Sequence, residues 1–173
     1  MLIMLGSCSE SGAEKQVRTE LDSMREMAFD EAATEELTSF LSSNGKADFR
    51  EFIEKAGKFE YSITGSEASP DDPEAILVTV RITTYCFGRE YLRTWNDYLE
   101  KSADKDFDQA EFYNLMMQNL SAVTDKTFTR EVKVSCKEED GSWATNAAGN
   151  YELRDAILGG MLNEIASLAE INK

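Results

Sequence analysis

The chain has 173 residues, with 33 acidic against 18 basic side chains, a formal charge of −15 and no histidine. That length supports a real hydrophobic core, and the negative charge repels nucleic acid, so no nucleic-acid partner is expected. Without an imidazole there is no Ser-His-Asp triad, no Cys-His pair and no histidine-ligated metal; carboxylates, Tyr, Lys and Cys are left to carry any chemistry.

The chain opens MLIMLGSC and then turns polar at once with SESGAEKQ. Leu2 to Leu5 read as the last part of an apolar signal segment, shorter than such segments usually are, so that either the true start lies upstream or the chain is a fragment. Leu5-Gly6-Ser7-Cys8 resembles the lipobox of bacterial lipoproteins, a Leu-small-small-Cys pattern. The resemblance implies that the Cys8 thiol carries diacylglycerol, that the chain is cut just before it, and that the protein is lipid-anchored at an extracytoplasmic membrane face. Each buried CH₂ of such a chain contributes about 0.8 kcal/mol, so two or three acyl chains anchor stably where one does not. Three units are expected: a truncated signal segment and lipobox over 1–8, a polar tether over 9–16, and one α+β domain over 17–173.

From Val17 the apolar residues recur at helical steps: Val17, Leu21, Met24 and Ala28, then Leu37, Phe40 and Leu41. Asn44-Gly45 reads as a helix stop, and Asp48-Phe49-Arg50-Glu51 as a capping box opening a short helix with Phe52, Ile53 and Ala56 on its apolar face. Gly57 ends it. Phe59, Tyr61 and Ile63 then alternate with polar residues, as do Ile76, Val78, Val80 and Ile82 across the segment 75–85. The loop between them, GSEASPDDPE, holds both prolines; its Asp71, Asp72 and Glu74 read as a turn and not as a cation site.

Residues 87–121 return to helical spacing, with Leu92, Trp95 and Leu99 along one face and Tyr91 and Tyr98 beside it. The run Asp104-Lys105-Asp106-Phe107-Asp108 imitates the start of a calcium-binding loop, but Gln109 stands where glycine is needed and Leu115 where a bidentate glutamate is needed. Capping of a helix by Asp108, with Glu111 reaching back, accounts for the same residues. That helix carries Phe112, Leu115, Met116 and Leu120. Phe128, Val132, Val134 and Cys136 alternate in a third strand, Asp140-Gly141 is a hairpin turn, and Trp143 opens a fourth strand. A last helix from about Glu152 carries Leu153, Ile157, Leu162, Ile165 and Leu168. Gly159-Gly160 inside it costs about 1 kcal/mol per glycine relative to alanine, which predicts a close approach at that face.

Hairpins imply an antiparallel sheet, so the expected fold is α+β: helices packed on a curved four-stranded antiparallel sheet. Cys86 and Cys136 would then lie toward opposite ends of the ladder, beyond the reach of a disulfide, and are expected as free thiols. The segments Phe59–Ile63, Val78–Tyr85, Asp140–Trp143 and Leu153–Gly160 together resemble small bacterial lipoproteins whose C-terminal domain has the cone-shaped fold of nuclear transport factor two. That resemblance implies a fold and a surface location, with no catalytic residue attached.

The chain is therefore expected to be a surface-tethered binding or envelope-associated module, more readily non-enzymatic than enzymatic, with no cofactor and no metal. Its expected contacts are a membrane through the lipid, a protein or small apolar ligand, and a second copy through the sheet. The aromatics read first as core. In the alternative they line a pocket in the concave sheet face, with Tyr61, Tyr85 and Trp95 as its walls. Asp97 would be general base and Tyr85 hydrogen-bond donor of a small isomerase or dehydratase.

Overall fold

The structure is a computed structural model that describes residues 10–28, 49–102 and 108–171. Cys8, the apolar positions Leu37, Phe40 and Leu41, the Asn44-Gly45 stop, Asp48 and Asp104–Phe107 lie outside the described residues.

Among the described residues six α-helices and four strands follow one another: α1 Gly12–Met27, α2 Arg50–Ala56, β1 Glu60–Ala68, β2 Ala75–Thr84, α3 Phe87–Lys101, α4 Gln109–Ala122, β3 Phe128–Glu139, β4 Ser142–Thr145, α5 Tyr151–Ile157 and α6 Met161–Ile171. The strands form an open antiparallel sheet in the order β1-β2-β3-β4. The α+β architecture expected from the sequence is thus present among the described residues.

The helix α1 starts inside the stretch read from sequence as a tether. Ser11 caps it: its hydroxyl accepts from Glu14 N at 3.2 Å, while Glu14 Oε2 accepts from Ser11 N at 2.9 Å. Both orphan donors are satisfied reciprocally, which fixes the first turn. Ala13 is fully buried, so residues 12–16 belong to the folded body. The polarity of that stretch comes from its solvent face; the apolar stripe Ala13, Val17, Leu21 lies underneath.

That stripe crosses the inner face of the sheet and meets Phe59, Val78, Val80, Ile82, Val132, Val134 and Cys136, with Leu153 and Ala156 of α5 beside them. Period-two alternation is the reason these strand residues share a face. In β1 the register shifts between Ile63 and Gly65. One extra residue reverses the parity, so Tyr61 and Ile63 face inward before the bulge and Ser66, opposite Val78, faces inward after it. The Ser66 hydroxyl there donates to Glu14 of α1 at 2.9 Å. Asp140 and Gly141 close the β3–β4 hairpin with φ of 50° and 77°, the two positive values that a tight twisted hairpin turn requires.

A second core lies beyond one end of the sheet, where α2, α3, α4 and α6 bury Phe52, Phe87, Tyr91, Tyr98, Phe112 and Leu120. The buried stripe of α3 is Phe87, Tyr91, Thr94 and Tyr98, and Leu99 is 46% exposed. This corrects the expected face by about one position: the hydroxyl of Thr94 is buried because Asn119 of α4 donates to it at 2.9 Å. Lys55 of α2 donates to the carbonyls of Ser121, in the last turn of α4, and of Val123, its C-cap. Burial lowers the pKa of that ammonium.

The expected C-terminal helix is two helices. Gly159 and Gly160 take φ of 57° and 83°, which breaks the run between α5 and α6. Asp155 is fully buried at this elbow. Its carboxylate accepts from Asn163 N at 3.0 Å, from Asn163 Nδ2 at 2.6 Å, and from Arg130 of β3. A carboxylate from the preceding helix thereby satisfies an orphan amide in the first turn of α6.

Candidate functional site

The two cores meet where β2 leads into α3 and α4 leads into β3. The Cys86 amide, last before α3, donates to the Asp125 carbonyl at 2.9 Å, which holds the two connections side by side. Asp125 Oδ1 accepts from the Thr127 amide at 3.1 Å and from the Thr127 hydroxyl at 2.5 Å, and its other oxygen accepts from Arg89 of α3. The Thr127 hydroxyl, followed by the Arg89 guanidinium, holds the Asp125 carboxyl below its usual range. Next to this pair is a cleft of about 260 Å³, lined by Arg89, Glu90, Arg93, Asn119, Val123 and Asp125 among others.

The guanidinium of Arg93 pairs with Glu90 and, at 3.6 Å, with Asp97. Two guanidiniums therefore stand among three carboxylates, and each is already paired. Charge balance gives the cleft no surplus for an anion, although the paired arginines present planar donors in an otherwise acidic chain. The Cys86 thiol stands 3.5 Å from the Thr127 hydroxyl, which is not a base. The arrangement lacks the nucleophile–base–orienter set that acyl transfer needs.

The residues singled out from sequence are placed apart. Tyr61 packs in the sheet core beside Phe59 and donates to Asp22 of α1 at 2.7 Å; burial first, then that bond, raises its pKa. Tyr85 belongs to the helical core, its ring lying 5.2 Å from the Lys55 ammonium and 5.8 Å from that of Lys126. Trp95 meets Phe112 edge-on at 5.2 Å, and Asp97 is half-buried against Arg93. Tyr61 and Tyr85 thus pack against different cores, and Ala13, Val17 and Leu21 of α1 lie on the inner sheet face. Of the four, only Asp97 adjoins the cleft, through Arg93. Among the described residues no group of three metal-ligating side chains converges. Asp108 caps α4, accepting from Ala110 N at 2.9 Å and Glu111 N at 3.1 Å, while Asp72 accepts from Glu74 N at 3.1 Å and from Lys137.

Arg89, Arg93 and Asp125 were not singled out from the sequence. The signals are faint: charges three and four apart at Glu90, Arg93 and Asp97, and an Asp-x-Thr step before a strand.

No protein-family model and no curated protein matches the chain. A solved structure of a candidate lipoprotein, ycdA, from Bacillus subtilis subsp. subtilis str. 168 is similar to it at 15% identity and a TM-score of 0.38, over 83% of this chain and 45% of that one. The chain spans less than half the length of that protein, and a likeness of this degree carries no inference about its role.

Proposed function

We propose that the protein is an extracytoplasmic lipoprotein, tethered through acyl chains on Cys8, whose folded body serves as a binding or envelope-associated module and not as an enzyme. The observation that carries this reading is Leu5-Gly6-Ser7-Cys8 standing immediately before a polar switch. Supporting it, helix α1 is capped by Ser11, three residues after the thiol, so the folded body starts close behind the proposed anchor. No helix among the described residues is long and apolar enough to cross a membrane. Within the same reading the fold is a variant of the nuclear transport factor two-like cone, a view favoured by the β1 bulge and by a helix laid across the inner sheet face. The test is fractionation of the producing cell with intact mass analysis. Wild-type protein is expected in the membrane fraction with a diacylglycerol-modified Cys8 as its first residue, and Cys8→Ser in the soluble fraction. Recovery of an unmodified thiol with residues 1–7 still attached overturns the reading.

A further inference from the structure

We propose that the hairpin-turn end of the sheet is the membrane-facing end of the protein, and that the cleft beside Arg89 is presented to the far side. The proposal rests on the Cys8 tether proposed above. Three features of the fold carry it. The first is the direction of α1: Gly12 lies directly under the Trp143 indole, where an added Cβ would stand 2.2 Å from Nε1, and Glu14 reaches Ser66. At its other end Asp22 reaches Tyr61. In the ladder Ser66 is opposite Val78 and Tyr61 opposite Ile82, so α1 starts at the end of the sheet where Ala75 meets Lys137 and both hairpins turn.

The second is reach. Cys8 is three residues from Ser11, and three residues span at most about 11 Å. A bilayer holding Cys8 therefore lies close under the 69–74 and 138–141 turns. Nine residues along β2 then carry the chain about 30 Å away, to Thr84 and the cleft beyond it.

The third is charge. The two turns carry Asp71, Asp72, Glu74, Glu138, Glu139 and Asp140, and Lys137 among them is paired with Asp72. On the outer face Arg81 is paired with Glu131 and Lys133 with Glu67. The acidic turns add no attraction of their own, and the outer face offers these two bases already matched, which weakens their pull on anionic headgroups that would lay the sheet down flat. The short tether therefore decides which end lies near the membrane, and the paired bases of the outer face do not compete with it.

The test attaches the anchor chemically, so that its outcome is independent of whether the cell lipidates Cys8. Full-length Cys86→Ser protein is coupled at Cys8 to a maleimide lipid in phosphatidylcholine vesicles containing a dansyl headgroup lipid. Energy transfer is read from Trp143 alone, in Trp95→Phe, and from Trp95 alone, in Trp143→Phe. Transfer from Trp143 is expected to exceed that from Trp95 at least about threefold, given a separation on the scale of the sheet. Equal transfer, or more from Trp95, overturns the proposal. Hydrogen exchange on the coupled Cys86→Ser protein, with both tryptophans kept, gives a second reading. Vesicle attachment should slow exchange in the 138–141 turn and leave 89–93 unchanged; slowing at 89–93 alone overturns the proposal.

Discussion

Gly159 presses so closely on Tyr85 that a Cβ at position 159 would stand 2.0 Å from the Tyr85 carbonyl oxygen and 2.8 Å from Phe87 N. The obstruction is backbone, which cannot swing aside, and φ is 57°. Gly88 closes the contact from the other side, donating its amide to the Gly159 carbonyl at 3.1 Å. This one approach joins the β2–α3 connection to the α5–α6 elbow and so couples the sheet core to the helical core. Gly159→Ala is expected to destabilise the protein by about 2–4 kcal/mol, combining left-handed strain with overpacking. A urea midpoint measured beside Gly149→Ala, where nothing lies within 4 Å, checks it; equal midpoints refute the contact.

Asp155 and Arg130 hold the same elbow from below. Removing the buried carboxylate leaves the Asn163 amide and the guanidinium without their acceptor, a loss of about 3 kcal/mol. Asp155→Ala should therefore lower the urea midpoint strongly. Arg130→Met should lower it less, because Asn163 still satisfies part of the carboxylate and the arginine is partly exposed. If Asp155→Ala proves as mild as Arg130→Met, the elbow is not held by this carboxylate.

Thr84 offers the opposite sign. Its side chain is fully buried at the end of β2 and its hydroxyl has no hydrogen-bond partner among the described residues. A buried hydroxyl left unpaired costs about 1–3 kcal/mol, so a group of the same shape without it is better tolerated there. Thr84→Val is expected to raise the melting temperature, against a loss for the control Thr94→Val, whose hydroxyl accepts from Asn119. A lower melting temperature for Thr84→Val would mean that the hydroxyl is satisfied.

These three sites also mark how far the sequence could be read. The strands were legible because period two holds through β2, β3 and the first half of β1, and the Asp140-Gly141 turn and the Asp108 cap lie where their residues point; the bulge between Ile63 and Gly65 hid the rest of β1, so residues 65–68, read as loop, belong to the strand. The α5–α6 break was not legible, because Leu153, Ile157, Met161 and Ile165 keep helical spacing straight across it. The glycines disclosed a close approach but not that the backbone turns there. On α3 the polar Thr94 in the buried stripe concealed the true face, since its partner Asn119 is 25 residues away. The cleft was hidden for a related reason. It is assembled from one turn of α3 and the α4–β3 connection, and its charged residues look like ordinary surface until the fold brings Arg89 to Asp125.

The two described thiols should behave differently. Cys86 is partly exposed and Cys136 is fully buried in the sheet core, where burial pushes its thiol up to about 11. They lie at opposite ends of the β2–β3 ladder, since Cys136 pairs with Ile76 while Cys86 follows Thr84, and both are free. In Cys8→Ser protein a thiol reagent should titrate one cysteine in the native state and two after unfolding. Deprotonation also couples to folding. Below pH 9 the thiol is protonated in both states and its contribution is complete. As pH rises from 9 towards 11 the unfolded chain releases the proton first, so stability falls by an amount on the order of 2 kcal/mol, then levels off. Tyrosines and lysines titrate over the same window, so the quantity to measure is the difference in unfolding free energy between wild type and Cys136→Ala. That difference should shrink between pH 9 and 11. A constant difference, or native-state labelling of Cys136, would place the thiol within reach of water and contradict the packing of the sheet against α1.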